Sequence, residues 1–406
     1  MNNLEKIRIL MIDDDFTGFG GVHEYIARTS RLLRQAGHEV SQLSLSPNQP
    51  LDQTDNHLKI LRYHFRHKLQ WFWSENIFDW ILYRQLRRHI LSIKPTVIHL
   101  HNLSRAPKTI LWACRGFKTV QTVHDFSLVC PQSVLISEQG GFKMCLGKRR
   151  LRCYRAAGLK WQTILFDYGL FDSGWLKKIL INRFLCPSKK MTAICQQAGF
   201  TQAVYLPHFV WSESYSPVSE LKNILFVGRL VKEKGVALLL QAFSLALVKN
   251  NKLRLKIAGA GSELPQLQAL ADELGIKQAV TFLGWVDSEK LKQHYRECFV
   301  VVVPSLVEES FSLVAGEALA IGRPIVAFAS GGLPELVRDN INGYLAEKFD
   351  IKTLADQLLA LSVDNNLVSR MSEQSYQLGG SQFSEARHLD SLLKIYRDLS
   401  LNKVYQ

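Results

Sequence analysis

The stretch from Cys298 to Ser330, CFVVVVPSLVEESFSLVAGEALAIGRPIVAFAS, places a helical segment between two apolar, β-rich runs. The runs are CFVVVVPS (298–305) and PIVAFAS (324–330). The segment LVAGEALAIG between them predicts a helix that Gly322 ends and that Pro324 cannot continue. A strand, a helix and a second strand in this order predict a parallel sheet covered by helices on both faces.

The same alternation of apolar runs and helical stretches begins twice, at residue 7 and again at residue 223. Its strands in the first half include IRILMI (7–12), TVIHLH (96–101) and TAICQQ (192–197). Because 406 residues are too many for one typical core, we expect two Rossmann-like, doubly wound α/β domains that face each other across a cleft. The predicted bounds are 1–205 for the N-terminal domain, 206–222 for a linker without a clean period, 223–380 for the C-terminal domain, and 381–406 for a last helix that packs back toward the N-terminal domain.

The composition excludes several classes of protein. The sequence has no run of eighteen apolar residues, so no transmembrane helix is expected. Its start, MNNLEKIRILMIDDD, is a poor signal peptide because the short apolar stretch passes directly into three aspartates, which predicts a cytoplasmic protein. Seven scattered cysteines favour reduced thiols over a disulfide framework. The spacing of Cys130, Cys145 and Cys153 is not a standard zinc pattern, so simple thiols are favoured over a structural metal site.

The net charge of +14 is concentrated in the first half. Residues 1–200 hold 29 Lys and Arg against 14 Asp and Glu, whereas the remainder is nearly balanced. Residues 57–90 interleave basic and aromatic side chains, which would suit an anionic membrane surface or single-stranded nucleic acid. An ordinary amphipathic helix pair that packs on the first domain explains the same pattern. Of these partners we expect a peripheral contact with an anionic membrane at the inner face, and no nucleic acid.

Basic residues follow the strand NILFVG (223–228), where Arg229 and Lys234 precede a helical stretch. Arginine offers a planar fork of donors and lysine a compact charge, so this strand end predicts a phosphate site. A solvated basic loop is the alternative interpretation. Trp285 and Val286 follow a later strand, where they could cover a nucleobase or cap the core.

Glu309 and Glu317 lie eight positions apart, on either side of the predicted start of the helix. A helix throughout would separate them by about 12 Å, whereas the two carboxylates of a glycosidase lie roughly 5–9.5 Å apart. The pair is therefore interpreted as two contacts to one extended ligand, the alternative being two solvated side chains. Ser312 is a candidate N-cap, and the N–H groups at 312–314 would attract phosphate between the two carboxylates.

An ordered set of motifs in the second half resembles the nucleotide-sugar domain of GT-B glycosyltransferases, and within them the large retaining family four. The first half resembles these enzymes more loosely, through Gly20-Gly21 before a helix and VHD at 123–125. The motifs of the second half are Gly228-Arg229, Lys234-Gly235, Glu309 with Glu317, Gly331-Gly332-Leu333-Pro334-Glu335 and Asn342-Gly343.

The resemblance implies a role for each matching residue. It implies that Arg229 and Lys234 hold the donor's diphosphate, that Glu317 binds the ribose hydroxyls, and that Trp285 and Val286 border the base. It implies two catalytic side chains, Glu309 at the hydroxyls of the donor sugar and His124 near the reacting carbon. The remaining donor contacts that it implies come from Gly20 and Gly21 and from the backbone of Phe311, Ser312 and Leu313.

The resemblance further implies a metal-independent reaction without a cofactor, in which a UDP- or GDP-sugar is the donor and a glycan or lipid-linked acceptor receives the sugar in surface polysaccharide biosynthesis. Configuration would be retained by front-face attack, with the leaving phosphate accepting the acceptor's proton. Two other classes stay open. One is a nucleotide-sugar epimerase or phosphorylase of the same fold, although no site for a phosphorylase's cofactor lysine is recognisable. The other is a non-catalytic protein that binds anionic lipid or nucleic acid.

Two serines depart from the pattern of this family, which often has glycine at the positions of Ser310 and Ser312. Glycine adopts positive φ freely, so serines here predict ordinary backbone dihedrals. The departure leaves the fold prediction intact and makes the choice of sugar harder to predict.

Overall fold

The computed structural model describes residues 6–13, 21–44, 58–60, 78–101, 108–130, 173–210, 213–218 and 222–401. The contacts between Cα atoms divide the chain into two compact units, which are described separately. The first unit comprises Met1–Val134, Met144–Leu206 and Leu389–Gln406, and the second comprises Leu135–Lys143 and Pro207–His388.

The first unit is built on a sheet of seven parallel strands in the order β3-β2-β1-β4-β5-β6-β7. Its strands are β1 (Arg8–Asp13), β2 (Glu39–Ser44), β3 (Leu58–Ile60), β4 (Val97–Leu100), β5 (Thr119–Thr122), β6 (Arg183–Cys186) and β7 (Ala203–Tyr205). Its helices among the described residues are α1 (Gly21–Gln35), α2 (Trp80–Ile93), α3 (Thr109–Ala113), α4 (Ser173–Leu180) and α5 (Lys189–Gln197).

The second unit is built on six parallel strands in the order β10-β9-β8-β11-β12-β13. Its strands are β8 (Asn223–Val227), β9 (Arg254–Ala258), β10 (Val280–Gly284), β11 (Val300–Val303), β12 (Ile325–Phe328) and β13 (Gly343–Ala346). Its helices are α6 (Val236–Lys249), α7 (Leu264–Glu273), α8 (Ser288–Glu297), α9 (Leu313–Ile321), α10 (Leu333–Leu336), α11 (Ile351–Val363) and α12 (Asn365–Gln382). The last helix, α13 (Glu385–Leu401), begins in the second unit and continues into the part of the chain grouped with the first.

The strand β11 shows why the second sheet is covered on both faces. Val300 and Val302 belong to one buried hydrophobic cluster, and Val301 and Val303 belong to another. Successive side chains of a strand point to opposite faces, so an uninterrupted apolar strand must bury both. The expected doubly wound, parallel-sheet architecture is thereby confirmed in this unit.

One predicted strand is wrong. Residues 192–197, TAICQQ, form the last two thirds of helix α5, and the strand in this region is β6. The buried residues Met191, Thr192, Ile194 and Cys195 recur with helical spacing. The hydroxyl of Ser188 accepts a hydrogen bond from the N–H of Met191 and caps the helix. In a run this short, the apolar residues alone fit either a strand or a helix. The cap at Ser188 favours the helix.

The end of the predicted linker is tied to the second unit. The N–H of Val210 donates to the carbonyl of Phe383, and the buried guanidinium of Arg323 donates to the carbonyl and hydroxyl oxygens of Ser216. Within the first unit, the phenol of Tyr396 on α13 hydrogen-bonds His99 on β4 at 2.6 Å.

None of the helices in the described ranges combines the length and apolar character that a membrane crossing requires.

Candidate active site

Two charged side chains from neighbouring loops meet at the carboxyl edge of the second sheet. The ammonium of Lys234, in the turn after β8, lies 2.6 Å from Oε1 of Glu309, which follows β11. The hydroxyl of Ser305 donates to the same oxygen at 2.5 Å. Because β8 and β11 are adjacent in the sheet, these loops are neighbours. Both side chains are mostly buried, which strengthens their attraction.

The two loops are joined by backbone contacts as well. Gly235 has a φ of 67°, and a Cβ at this position would lie 2.0 Å from the carbonyl oxygen of Pro304. The N–H of Leu306 donates to the carbonyl of Glu233 at 2.9 Å. Only glycine permits both this φ and this approach, so the glycine after Lys234 determines where the lysine side chain begins.

Glu308 and Glu309 are adjacent in sequence but have different partners. Glu308 accepts a hydrogen bond from the N–H of Gly331 at 2.7 Å and pairs with Lys348 at 2.8 Å. Its carboxylate therefore holds the loop after β12 in place. Glu309 instead pairs with Lys234 and accepts a hydrogen bond from Ser305.

The turn that starts helix α9 is strained. Ser312 has a φ of 80°, so the expectation of ordinary dihedrals at this serine is wrong. Its hydroxyl accepts a long hydrogen bond, 3.4 Å, from the N–H of Ala315 and acts as the N-cap predicted for it. Such strain persists where the surrounding structure enforces it, and it is concentrated at functional sites.

The side chain of Phe311 is part of the core. Its ring packs edge-on against His208 and Phe383, with centroid separations of 5.5 and 5.6 Å. Any contact of Phe311 with a ligand is therefore restricted to its backbone, as the resemblance implied. The helix begins at Leu313, so the separation of about 12 Å, which assumed a helix throughout, does not apply to Glu309 and Glu317.

A buried phenol holds Glu317 on α9. The hydroxyl of Tyr295 on α8 donates to Oε2 of Glu317 at 2.6 Å. Burial, and then the negative charge of Glu317, raise the pKa of Tyr295 well above its ordinary value, so the phenol stays protonated and donates. Arg323, which is fully buried, donates in turn to the carbonyls of Tyr295 and Arg296. Sequence reasoning missed Tyr295 and Arg323 because no local pattern connects them with Glu317.

The other predicted donor residues of the second unit lie at the same edge of the sheet. Arg229 is exposed in the loop that follows β8. Trp285 follows β10 and is 73% exposed, and Val286 beside it is half-buried. Because β10 is the edge strand and β9 separates it from β8, Trp285 lies further along the sheet than Lys234. A tryptophan this exposed does not cap the core.

The first unit has its own cluster at the carboxyl ends of three neighbouring strands. Asp13 ends β1, His101 follows β4, and His124 lies just beyond β5. Nδ1 of His101 lies 3.1 Å from Nε2 of His124, and the ring of Tyr25 on α1 packs edge-on against His124. Only His124 of this cluster was predicted. The strand endings MID and IHLH carried the signal for Asp13 and His101, because side chains at these ends face a ligand site.

His124 is held in its neutral form. Burial, with a smaller contribution from His23, lowers the pKa of His124 to about 3. A neutral imidazole can donate or accept a hydrogen bond without carrying charge. Gly21 is the first residue of α1, and Gly20 lies outside the described residues.

Metal ligands are not grouped among the described residues: no three His, Cys, Asp or Glu side chains there could hold an ion together. Cys130 is buried, as are Cys114, Cys186, Cys195 and Cys298, and the reduced state expected for the cysteines stays a prediction. Cys145 and Cys153 lie outside the described residues, as do Asp14 and Asp15.

Comparison with known proteins covers both halves of the chain. The family described as Glycosyl transferases group 1 matches residues 210–378, and Glycosyltransferase Family 4 matches residues 19–205. An uncharacterized glycosyltransferase of Methanocaldococcus jannaschii is 43% identical over 122 residues, which cover 30% of this chain and 31% of that protein. D-inositol 3-phosphate glycosyltransferase of Mycolicibacterium smegmatis is 41% identical over 184 residues, or 44% of this chain and 40% of its own length. The chain thus matches less than half the length of these relatives.

Two solved structures resemble the whole chain. Sucrose-phosphate synthase from Thermosynechococcus elongatus superposes with a TM-score of 0.71 at 20% identity, covering 97% of this chain and 99% of its own. HepE from Anabaena, solved in complex with UDP, gives a TM-score of 0.70 at 16% identity, covering 97% and 100%. At these identities the likeness shows a shared fold.

Proposed function

Because the chain belongs to the group 1, family four glycosyltransferases and has the GT-B fold, we propose that it transfers a sugar, with retention, from a nucleotide-diphosphate sugar to a glycan or lipid-linked acceptor. One observation carries the proposal. The pair Lys234–Glu309, together with the hydroxyl of Ser305, is assembled at the carboxyl edge of the sheet, where ligands bind in doubly wound folds.

Lys234 and Arg229 are proposed to bind the donor's diphosphate. Glu309 balances the charge of Lys234, so the ammonium is not a buried charge without an opposite partner. When a diphosphate enters, the ammonium can turn to phosphate oxygens while Glu309 accepts hydrogen bonds from sugar hydroxyls. The ion pair thereby couples recognition of the two parts of the donor.

The start of α9 is proposed to assist phosphate binding, and Glu317 to bind the ribose. Backbone N–H groups at a helix start favour negative charge, and the cap at Ser312 positions this turn. Tyr295 keeps Glu317 in one orientation through a hydrogen bond to an ionised group, which is stronger than a neutral one. The exposed ring of Trp285 is proposed to border the base.

His124 of the first unit is proposed to serve the same transfer, near the donor sugar. Its lowered pKa keeps it neutral at physiological pH, which suits hydrogen bonding to a hydroxyl or carbonyl better than electrostatic attraction. The leaving phosphate would accept the acceptor's proton, so no protein nucleophile is required. Charge stabilisation and positioning then lower the barrier.

A panel of nucleotide sugars tests the proposal. We expect at least one UDP- or GDP-sugar to raise the melting temperature and to be transferred or slowly hydrolysed, with the same rate in the presence of EDTA. A panel that neither stabilises the protein nor reacts would overturn the proposal. If instead an epimerised nucleotide sugar accumulates without an acceptor, the epimerase alternative is favoured.

Peripheral attachment to the inner face of an anionic membrane is proposed for the first unit. Trp80 and Ile81 at the start of α2, and Trp175 and Ile179 on α4, are all more than half exposed. Helix α3 contacts both α2 and α4, so these side chains lie on two helices that pack against a common third. Basic residues share the helices, with Arg84 and Arg88 on α2 and Lys178 on α4. Aromatic side chains beside basic ones fit the interface of an anionic bilayer.

Sedimentation with lipid vesicles tests this attachment. We expect binding to vesicles that contain phosphatidylglycerol, weaker binding in high salt, and loss of binding in Trp80→Ser/Trp175→Ser. The surface variant Val248→Ser, which changes an exposed apolar residue of the second unit, serves as the control. Equal binding to neutral and anionic vesicles, or to neither, would contradict the proposal.

A further inference from the structure

The candidate catalytic His124 is the outer member of a row of buried histidines in the first unit. His99 lies on the central strand β4 and His101 directly follows that strand, and their ring centroids lie 4.1 Å apart at an interplanar angle of 32°. Side chains at i and i+2 share one face of a strand, which explains the stacking. Both rings are fully buried, and His101 bonds to His124.

The inner end of the row is held by two hydroxyl groups. Nδ1 of His99 lies 2.6 Å from the phenol of Tyr396, and Nε2 lies 2.7 Å from the hydroxyl of Thr122. Burial raises the pKa of Tyr396 well above its ordinary value, so the phenol stays protonated, and like the Thr122 hydroxyl it can donate to the ring nitrogen or accept from it. The tautomer of His99 is therefore tied to the orientation of these two hydroxyl groups. The two bonds thus hold the ring of His99 in one orientation.

Each bond in this row restricts the next ring. His99 stacks on His101 and prevents it from rotating, and Tyr25 packs edge-on against both His101 and His124. The bond between Nδ1 of His101 and Nε2 of His124 needs one nitrogen with a proton and one without. The tautomer of His124 is therefore coupled to that of His101.

We propose that His101 is a positioning residue for His124: it fixes the orientation and the tautomer of the His124 imidazole, supported from behind by His99 and Tyr396. The catalytic consequence rests on the proposed transferase function. A catalytic imidazole in the wrong tautomer loses activity even when its ring is correctly placed. The proposal also gives the C-terminal helix a role in the site, since Tyr396 comes from α13.

The position of the bonding nitrogen suggests two matched variants. His101 bonds through Nδ1, the nitrogen nearer the backbone. The shorter amide of asparagine can place a donor or an acceptor near this position, whereas glutamine places its amide near Nε2. His101→Asn should therefore retain the bond to His124, and His101→Gln should lose it, although both variants are polar and neutral.

Kinetics of the two variants provide the first measurement. We expect His101→Gln to lower kcat by about 10-fold to 100-fold, by analogy with partners that orient a metal-bound histidine, while KM for the donor changes by less than about threefold. His101→Asn should recover most of the lost kcat. Equal kcat in both variants and the wild type would overturn the proposal, as would equal losses in both.

The imidazole ¹⁵N spectrum of the wild-type protein provides the second measurement, which needs neither substrate nor a variant. We expect a single tautomer of His124 at pH 6–8 and scalar or shift evidence of a bonded Nε2. A mixture of tautomers, as in a solvent-exposed histidine, would overturn the proposal even if His101→Gln fails to fold. Because this spectrum is independent of turnover, a wild type that reacts with no nucleotide sugar defeats the proposed function but leaves the His101–His124 bond to be judged separately.

Discussion

At the residue scale, two adjacent glutamates of the second unit have different partners and different roles. Glu308 anchors the loop after β12 through Gly331 and Lys348, whereas Glu309 faces Lys234. The family motif that pairs Glu309 with Glu317 already assigned a ligand contact to Glu309. The contacts of Glu308, however, are made with residues 23 and 40 positions away, so its anchoring role could not be predicted from the local sequence.

This separation predicts opposite outcomes for the two carboxylates. We expect Glu309→Ala and Lys234→Ala to lower transfer by about two orders of magnitude or more, since each removes a charge from the proposed donor site. Melting temperatures should change little. Glu308→Gln should retain most of the activity and lose about 1–3 kcal/mol of unfolding free energy, because Lys348 is left without its partner. Initial rates and urea denaturation check both, and near-normal transfer by Glu309→Ala would remove that residue from the site.

The strained Ser312 allows a second prediction at this scale. With φ at 80°, glycine should suit the position better than serine, and the loss of a weak cap should cost only a few tenths of a kcal/mol when glycine replaces it. We expect Ser312→Gly to stabilise the protein by about 0.5 kcal/mol. Ser312→Ala should destabilise it by about 1 kcal/mol, because the strain stays and the cap is lost.

Denaturant midpoints of the Ser312 variants measure this difference. If Ser312→Gly is less stable than Ser312→Ala, the positive φ is absent in solution. The transfer rates of both variants are measured separately. If both variants transfer more slowly although Ser312→Gly is at least as stable as the wild type, the hydroxyl of Ser312 also contacts the donor.

At the element scale, the site depends on how closely the loops after β8 and β11 approach. Sheet order makes these loops neighbours, and Gly235 allows the backbone of one to touch the other. The helix α9 then presents its first turn beside Glu309. These elements were predicted from periodicity and turn residues, except that the cap at Ser188 turned one predicted strand into helix α5.

The close approach at Gly235 predicts a large effect for a single methyl group. We expect Gly235→Ala to destabilise the protein by about 2 kcal/mol or more and to abolish transfer, because the added Cβ would lie 2.0 Å from the carbonyl oxygen of Pro304. Gly275→Ala is the matched control, since Gly275 has a similar φ of 69° and nothing within 4 Å of its Cβ position. It should lose only about 1 kcal/mol and retain activity. Equal effects in both variants would show that φ alone, and not the approach of the loops, explains Gly235.

At the scale of the whole molecule, each unit contains a buried histidine that is neutral in the folded protein. At acidic pH this histidine becomes protonated when the chain unfolds. Burial lowers the pKa of His124 to about 3 and that of His388 to about 4, from an ordinary value of 6.5. Between pH 6.5 and these values, the unfolded chain therefore binds more protons than the folded protein does. The free energy of unfolding thus has its full value above about pH 6.5 and decreases as the pH falls through this range.

The lowered pKa values predict how steeply the free energy of unfolding depends on pH. We expect each histidine to contribute a loss of about 1.4 kcal/mol of unfolding free energy for every pH unit below 6.5, until its folded-state pKa is reached. His388→Asn should reduce this slope, because its amide can still donate to the carbonyl of Pro207 without titrating. Urea denaturation at pH 7, 6 and 5 provides the comparison. An unchanged slope in the variant would mean that His388 is not buried in solution.

The sequence by itself determined many of the elements of this protein, the parallel sheets and the family, although the strands β3, β6, β7 and β13 were not predicted. Strand and helix periods, the glycines that end turns, and the order of the motifs around Glu309 are all local properties, and each is readable because it depends on neighbours within a few residues. For the same reason Lys234, Glu309 and Glu317 could be selected before any contact was known.

Only the tertiary structure decided which partners these residues have. The pairing of Lys234 with Glu309 spans 75 positions, the bond from Tyr396 to His99 spans 297, and the positive φ of Ser312 contradicts the preference of its own side chain. Strand order and the packing of the helices bring such groups together, and neither is encoded in any short stretch of the chain. A residue's type shows the chemistry that it can perform, but its partners in the folded protein determine its charge, its orientation and its tautomer.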